Sequence, residues 1–477
     1  MPEDQRLAVM PAVDMVEGFA RHALSPLEVH SAVQAVIEAQ EPVLNAFWMR
    51  DAEASRAAAE ASEKRWAAGE PLGPIDGVPV TLKENIARKG MPMPAGNAGV
   101  NPVVPDRDAP ITARVLESGG VILGSTVMPD WGMLSSGVSS LHGITRSPWN
   151  PAWTTGGSSS GAGAAAAGGY GPLHVGTDIG GSIRLPGTWL GLATLKPSYG
   201  RIPLDKPYLG RVAGPMSRTV ADLALFMQVL SRPDLRDWSS LPPEHLDWFS
   251  PALDPDGLRV GVHLDAGCGV PADAEVLDAV KKAATLFEDA GAVVEPVEPF
   301  VNQELLDDLD LFWRVRSWTD YQALSVEGKL KVLPYIVDWC HGGADVSGTR
   351  VLRCYQQIME IQARTVAATT PYDLVLSPVA PVAAYPAEQP MPFLETGKGM
   401  WHIGFAAPYN MSGQPAATVN CGFTKDGRPI GVQVAGRRFD DVGVLRAAAW
   451  YEHNRPAKAV PPWPLSSAVT VAERRTA

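Results

Sequence analysis

Cysteine is scarce: Cys268, Cys340, Cys354 and Cys421 are the four in a chain of 477, and they stand far apart. They form no Cys-x-x-Cys pair, and His341 beside Cys340 has no second pair nearby to complete a zinc site. Disulfides and a structural metal are therefore not expected, and the four thiols read as buried and free. Charge is also sparse, at 19% of residues, and 52 acidic against 40 basic side chains give a formal net charge of −12. An acidic surface repels phosphate, which argues against a nucleic-acid partner. No apolar run reaches the roughly 20 residues of a membrane span. The most apolar stretch, about Ala162 to Val175, is broken by four Gly and a Pro. Met1-Pro2-Glu3-Asp4-Gln5-Arg6 carries no basic segment followed by an apolar stretch and a cleavage site. A cytoplasmic protein with no membrane association is the expectation.

What is present is apolar bulk, at 45% of residues, with 46 Gly and 43 Pro. Such a chain can bury a large core, which excludes disordered, coiled-coil and fibrous classes. The first seventy residues read as helices over Val13 to Ala20, Leu27 to Ile37 and the Ala-rich run after Asp51, with Ser25-Pro26 as a helix start. Short β-branched runs follow: Val78–Leu82, Val121–Leu123, Leu173–Thr177, Leu258–Val262, Asp373–Leu376, Ala417–Asn420 and Ile430–Val434. Helical windows alternate with them at Ile111–Ser118, Val220–Leu230, Ala274–Ala290, Thr349–Ala368 and Val442–Glu452. This alternation predicts an α/β fold, a single large mixed sheet with helices on both faces.

One domain over residues 1–477 is expected, with residues 1–70 packed on it as a helical segment. The Pro- and Asp-rich stretch 232–256 reads as an internal linker joining two halves of one sheet. Residues 301–400 read as a variable region around a substrate pocket. There Trp313, Trp318 and Trp339, with Trp401 just beyond, either pack helices onto the sheet or wall an apolar site. Exposed apolar area on these segments would support a homodimer.

Chemistry concentrates where glycine does: thirteen of the 46 Gly lie between Gly156 and Gly200. Thr155-Gly-Gly-Ser-Ser-Ser-Gly-Ala-Gly163 is followed by Gly176-Thr-Asp-Ile-Gly-Gly-Ser-Ile-Arg-Leu-Pro186. Glycine there lets the backbone turn tightly, and the N–H groups of Ile179, Gly180, Gly181 and Ser182 could converge on an oxyanion. No Walker motif and no His-Glu-x-x-His occur, and no strand precedes the glycine pattern at Gly161-Ala-Gly163, so neither a nucleotide cofactor nor a zinc centre is indicated. Gly157-Ser-Ser-Ser-Gly161 matches a nucleophile elbow, but the loop composition before it argues against one.

These segments resemble the amidase signature family. Gly156-Gly157-Ser158-Ser159, the Gly176 to Arg184 run and Leu195-Lys196-Pro197-Ser198 follow its signature in order and spacing. Gly77-Val-Pro-Val-Thr-Leu-Lys83-Glu-Asn-Ile86, Asn410-Met-Ser-Gly-Gln-Pro-Ala416 and Gly427 to Val434 are similar to its other strands, so the likeness runs from about Leu27 to Glu452. The resemblance implies Ser182 as nucleophile, Ser158 as the serine of the family's cis peptide, Lys83 as base, and Asp178 with Arg184 holding the loop.

The bare residues fit that reading. A serine hydroxyl needs a base, and of nine His only His174 lies near the loops, inside an expected strand. A lysine can serve only when neutral, which burial without a carboxylate partner favours. Lys83 ends an apolar strand, and alternation would turn Glu84 to the opposite face. On its own Lys83 would read as a solvated strand-end lysine; the two serine loops give it a partner.

The resemblance also bounds the substrate. The transfer-RNA amidotransferase subunit of the family has Asp-Glu-Phe-Ala-Met where this chain has Pro129-Asp-Trp-Gly-Met133, and Lys-Asp-Asn-Ile where it has Lys83-Glu-Asn-Ile86. A free-standing amidohydrolase on small apolar or aryl amides is therefore expected, with Trp131, Gly132 and Met133 against the substrate. Trp131 as plain core is the alternative. Aryl carbamate or ester hydrolysis, glutamine hydrolysis within an amidotransferase, and a non-catalytic binding protein are the other readings.

Overall fold

The computed structural model describes residues 3–250 and 252–463. Thirteen strands occur in it. Eleven form one sheet: β1 Phe47–Arg50, β2 Pro79–Lys83, β3 Val121–Thr126, β6 Leu173–Asp178, β7 Ala193–Lys196, β8 Val212–Ser217, β9 Arg259–Val262, β10 Val293–Pro296, β11 Leu374–Pro378, β12 Ala416–Phe423 and β13 Pro429–Gly436. The remaining two, β4 Val138–Ser139 and β5 Gly143–Ile144, make a small hairpin. The sheet order is β1-β3-β2-β6-β8-β7-β12-β13-β11-β9-β10. Parallel pairs, β3-β2-β6 and β11-β9-β10, flank an antiparallel centre, so the sheet is mixed.

Helices cover both faces, as β13 shows. A side chain at Gly431 would strike Thr188 of helix Arg184–Leu190, whereas one at Gly436 would strike Val444 of helix Asp441–Asn454. The two positions have opposite parity in one strand, so the two helices lie on opposite sides.

All seven expected strands form, several extended by a residue or two. The sheet strands absent from the sequence reading have physical reasons: β8 carries Gly214 and Pro215, β7 and β10 are four residues long, and β1 sits at an edge. β1 also corrects the reading of the first seventy residues as helical throughout. Its partner β3 satisfies a backbone that the flanking helices Pro26–Leu44 and Ala52–Ala68 leave open. Ser25 does start a helix, with a reciprocal capping box to Glu28. The described residues of 231–258 form neither helix nor strand. Three of the four cysteines are buried; Cys268 is only partly so. Among the described residues no helix is long and apolar enough to cross a membrane.

The helix that follows the first serine loop, Ser160–Gly168, is built only from Ser, Gly and Ala, and every residue is buried. Small side chains let it sit against backbone: a methyl at Gly161 would collide with the Ala46 carbonyl. No apolar face exists for periodicity to reveal, so residue order carries no helical signal there.

Candidate active site

β2 lies between β3 and β6, parallel to both, and all five of its residues are buried. Interior parallel strands are covered on both faces. The lysine ending this strand is thereby carried out of water: Lys83 is fully buried. Its Nζ donates to Ser158 Oγ at 2.7 Å and to Ser159 Oγ at 3.1 Å. Glu84 turns away and takes a 2.8 Å hydrogen bond from the His142 ring. Lys83 has no ion pair with any carboxylate among the described residues. Burial pushes its amine down to about 7, with the charges of Asp178 and Glu84 opposing and that of Arg211 adding to the shift.

Ser158 follows a cis Gly157–Ser158 peptide. A methyl at Gly157 would lie within 2.7 Å of backbone atoms of Leu134 and Ser136, so only glycine fits there. Ser159 is locked by Thr177, donating to its carbonyl and accepting from its N–H at 3.2 Å each. Its N–H donates to the Ser182 carbonyl at 3.2 Å, which ties the two serine loops together. Ser158 and Ser182 line one cavity, with Gly132 and Ile179 beside them.

Asp178 and Arg184 form the buried frame of the second loop. The guanidinium meets the carboxylate through Nε and Nη2, both at 3.1 Å, and reaches Asn410 Oδ1 at 2.5 Å, Gln433 Oε1 at 2.6 Å and the Ala406 carbonyl at 2.9 Å. Burial alone would raise the Asp178 carboxyl; Arg184 and Asn410 hold it instead well below the usual carboxylate range. Asp178 Oδ1 also accepts the Gly181 N–H at 2.7 Å, and Oδ2 the Ile183 N–H at 3.1 Å. The Gly181 N–H, expected as an oxyanion donor, is thus committed to Asp178. The N–H groups of Ile179, Gly180 and Ser182 have no acceptor among the described residues.

Trp131, Gly132 and Met133 reach the same cavity. A methyl at Gly132 would lie 3.1 Å from Ser158 Oγ, and its φ of +70° adds a backbone reason for glycine. Behind Ser182 lies a second cavity of about 30 Å3, with Leu134, Trp313, Met400 and Ile403 in its wall. The opening in front has about 280 Å3. Trp313 therefore both packs its helix, Gln303–Gln322, and faces the pocket, whereas Trp339 is buried against Asp310 through a 2.9 Å hydrogen bond.

Histidine does not supply a base here. His174 bonds Thr81 at 2.8 Å and the Gly171 carbonyl at 3.1 Å, and burial pushes it down to about 3. His402 bonds Ser135 at 2.7 Å and is pushed down likewise. Sequence reasoning missed Lys196, a second fully buried lysine driven to about 7, chiefly by burial and then by Arg184. It lies in a signature segment, but nothing in its spacing separates a buried lysine from a surface one. Asn410 and Gln433 were visible as motif residues; their contact with Arg184 crosses more than 220 residues of chain.

The amidase family profile matches residues 28–445. An acylamidase of Rhodococcus erythropolis is 34% identical over 466 residues, covering 95% of this chain and 97% of that protein. A glutamyl-tRNA(Gln) amidotransferase subunit of Chloroflexus aurantiacus is 31% identical, covering 90% of this chain and 93% of its own length. The crystal structure of a bacterial aryl acylamidase of the amidase signature family superposes with a TM-score of 0.88 at 28% identity, covering 96% of this chain and 99% of that one. With that match over most of its length, and with a buried lysine joined to a serine loop, the chain belongs to the amidase signature family of hydrolases acting on amide C–N bonds.

Proposed function

We propose that the chain is a free-standing acylamidase that cleaves small anilide-like amides through an acyl-enzyme on Ser182. The observation that carries this is the 2.7 Å hydrogen bond from a buried, unpaired Lys83 to Ser158. A neutral Lys83 takes the Ser158 proton while Ser158 takes that of Ser182, whose oxygen attacks the amide carbon. The oxyanion is held by the N–H groups of Ile179, Gly180 and Ser182, Gly181 being committed to Asp178. Collapse breaks the C–N bond, and the same relay returns a proton to the departing amine. Water then gives its proton to the relay, attacks the acyl ester and releases the carboxylate with Ser182 restored.

A cavity of about 30 Å3 behind Ser182 has room for a few heavy atoms, so it suits a short acyl group. The wider front, edged by Trp131, suits an aromatic amine. Release of aniline from acetanilide, abolished in both Lys83→Ala and Ser182→Ala, with acetyl label recovered on Ser182 by mass spectrometry, is the expected result. Label on another residue would overturn the assignment. The 31% identity to an amidotransferase subunit supports a second reading, for which glutamine hydrolysis without anilide cleavage is the signature.

A further inference from the structure

The front of the pocket carries two guanidinium groups that form no ion pair with the protein's own carboxylates among the described residues. Arg211 and Arg316 line the same opening as Ser158 and Ser182. Neither forms an ion pair with a carboxylate among the described residues, although Arg314, two residues from Arg316, pairs with Asp310 at 2.7 Å. Arg211 donates through Nη2 to the Lys206 carbonyl, and its buried Nε has no acceptor. Arg316 gives one N–H to Met133 Sδ at 2.7 Å and lies 5.3 Å from the Tyr208 ring centre. A thioether and a ring are weak partners for a cation.

Two carboxylates share this opening. Asp178 is consumed by Arg184, and Asp320, on the exposed side, forms no ion pair with either arginine, though burial raises its carboxyl and the charge of Arg316 acts against that rise. Burial lowers the proton affinity of Arg211, and the charge of Arg316 lowers it further, so the two cations repel each other. In a chain of net charge −12, a repelling pair of cations at the catalytic opening calls for an anion. Arginine forks match the planar geometry of a carboxylate. The cavity behind Ser182 has no cationic side chain in its lining, and its free N–H groups are those assigned to the oxyanion, which leaves the front, amine side of the scissile bond.

We propose that Arg211 and Arg316 form a carboxylate subsite, and that the substrates are short-chain N-acyl amines whose amine portion bears a carboxylate. The proposal rests on the acylamidase reading of the same pocket. The test compares 3- and 4-acetamidobenzoate with their methyl esters in the wild type, Arg211→Gln and Arg316→Gln. The ratio of kcat/KM for acid over ester is expected to exceed one in the wild type for at least one isomer. It should fall by about tenfold or more in each variant, as loss of a charge-assisted pair predicts. In the wild type alone, where folding of a variant is not at issue, the ratio should shrink as salt rises to about 0.5 M. A ratio at or below one, or one that neither substitution nor salt changes, overturns the subsite. If the wild type cleaves neither acid nor ester, the anilide reading fails by itself. Calorimetric binding of 4-acetamidobenzoate then decides: weaker binding in Arg316→Gln supports the subsite, and equal or absent binding in both proteins overturns it.

Discussion

If Lys83 is the base, the enzyme must switch off in acid along the titration of one buried amine. Burial moves that amine from 10.5 to about 7. At pH 7 about half of it is then neutral, whereas an unshifted lysine would be neutral in roughly one molecule in three thousand. For acetanilide, which does not titrate in this range, kcat/KM should rise about tenfold per unit below pH 7 and level off near pH 8. The measurement is initial-rate release of aniline from pH 5 to 9. Two other buried groups titrate nearby: Lys196, also at about 7, and Asp130, pushed up to about 6 by burial beneath the Trp131 loop. Lys196→Met must therefore leave the midpoint in place. A midpoint that moves in Lys196→Met, or a profile flat from pH 5 to 8, refutes the assignment of the limb to Lys83.

Three further outcomes follow from the same geometry. Folded Lys83 binds fewer protons than the unfolded chain between about pH 7 and 10.5, so its burial costs stability that returns as pH rises through that window. Lys83→Met, though inactive, should thus raise Tm most near pH 6 and least near pH 10, with an upper limit of about 5 kcal/mol; a gain independent of pH would contradict this. Arg184→Gln strands Asp178 in the core and should cost about 3–5 kcal/mol in urea unfolding, with activity lost before global unfolding. Trp313→Ala opens the small cavity behind Ser182 and should shift preference from acetanilide toward longer acyl anilides in competition assays. It should also cost about 3–5 kcal/mol of stability.

Much of this site could be read from residue order because glycine and proline write backbone geometry locally. Gly157 sits against the Leu134 and Ser136 backbone, and Gly132 above Ser158, for steric reasons that act at single positions. The apolar run before Lys83 announces a strand, but only the two serine loops and the family likeness made its lysine a candidate base rather than a solvated strand end. The distribution of N–H groups was not: the sequence offers four consecutive donors, and only the folded loop shows Asp178 taking the one from Gly181. Arg211 and Arg316 were equally invisible, since they come from a loop after β7 and a long helix, brought together by packing that no local pattern encodes. The helix Ser160–Gly168 escaped notice for the opposite reason, having no polar face to contrast with an apolar one.

The knot around Arg184 has a consequence for how the protein comes into being. Its acceptors are contributed by residues 178, 406, 410 and 433, so the loop bearing Ser182 gains its last support only once Gln433 has been made. On a ribosome that feeds roughly 5–20 residues per second, the serine and lysine loops emerge many seconds before Gln433. A nascent chain therefore carries every residue of the proposed relay and the Asp178–Arg184 pair, but not the Ala406, Asn410 and Gln433 groups that complete the frame. Hydrolytic competence arrives late and abruptly, with the C-terminal strands, and a truncated product lacking them would be harmless to the amides around it.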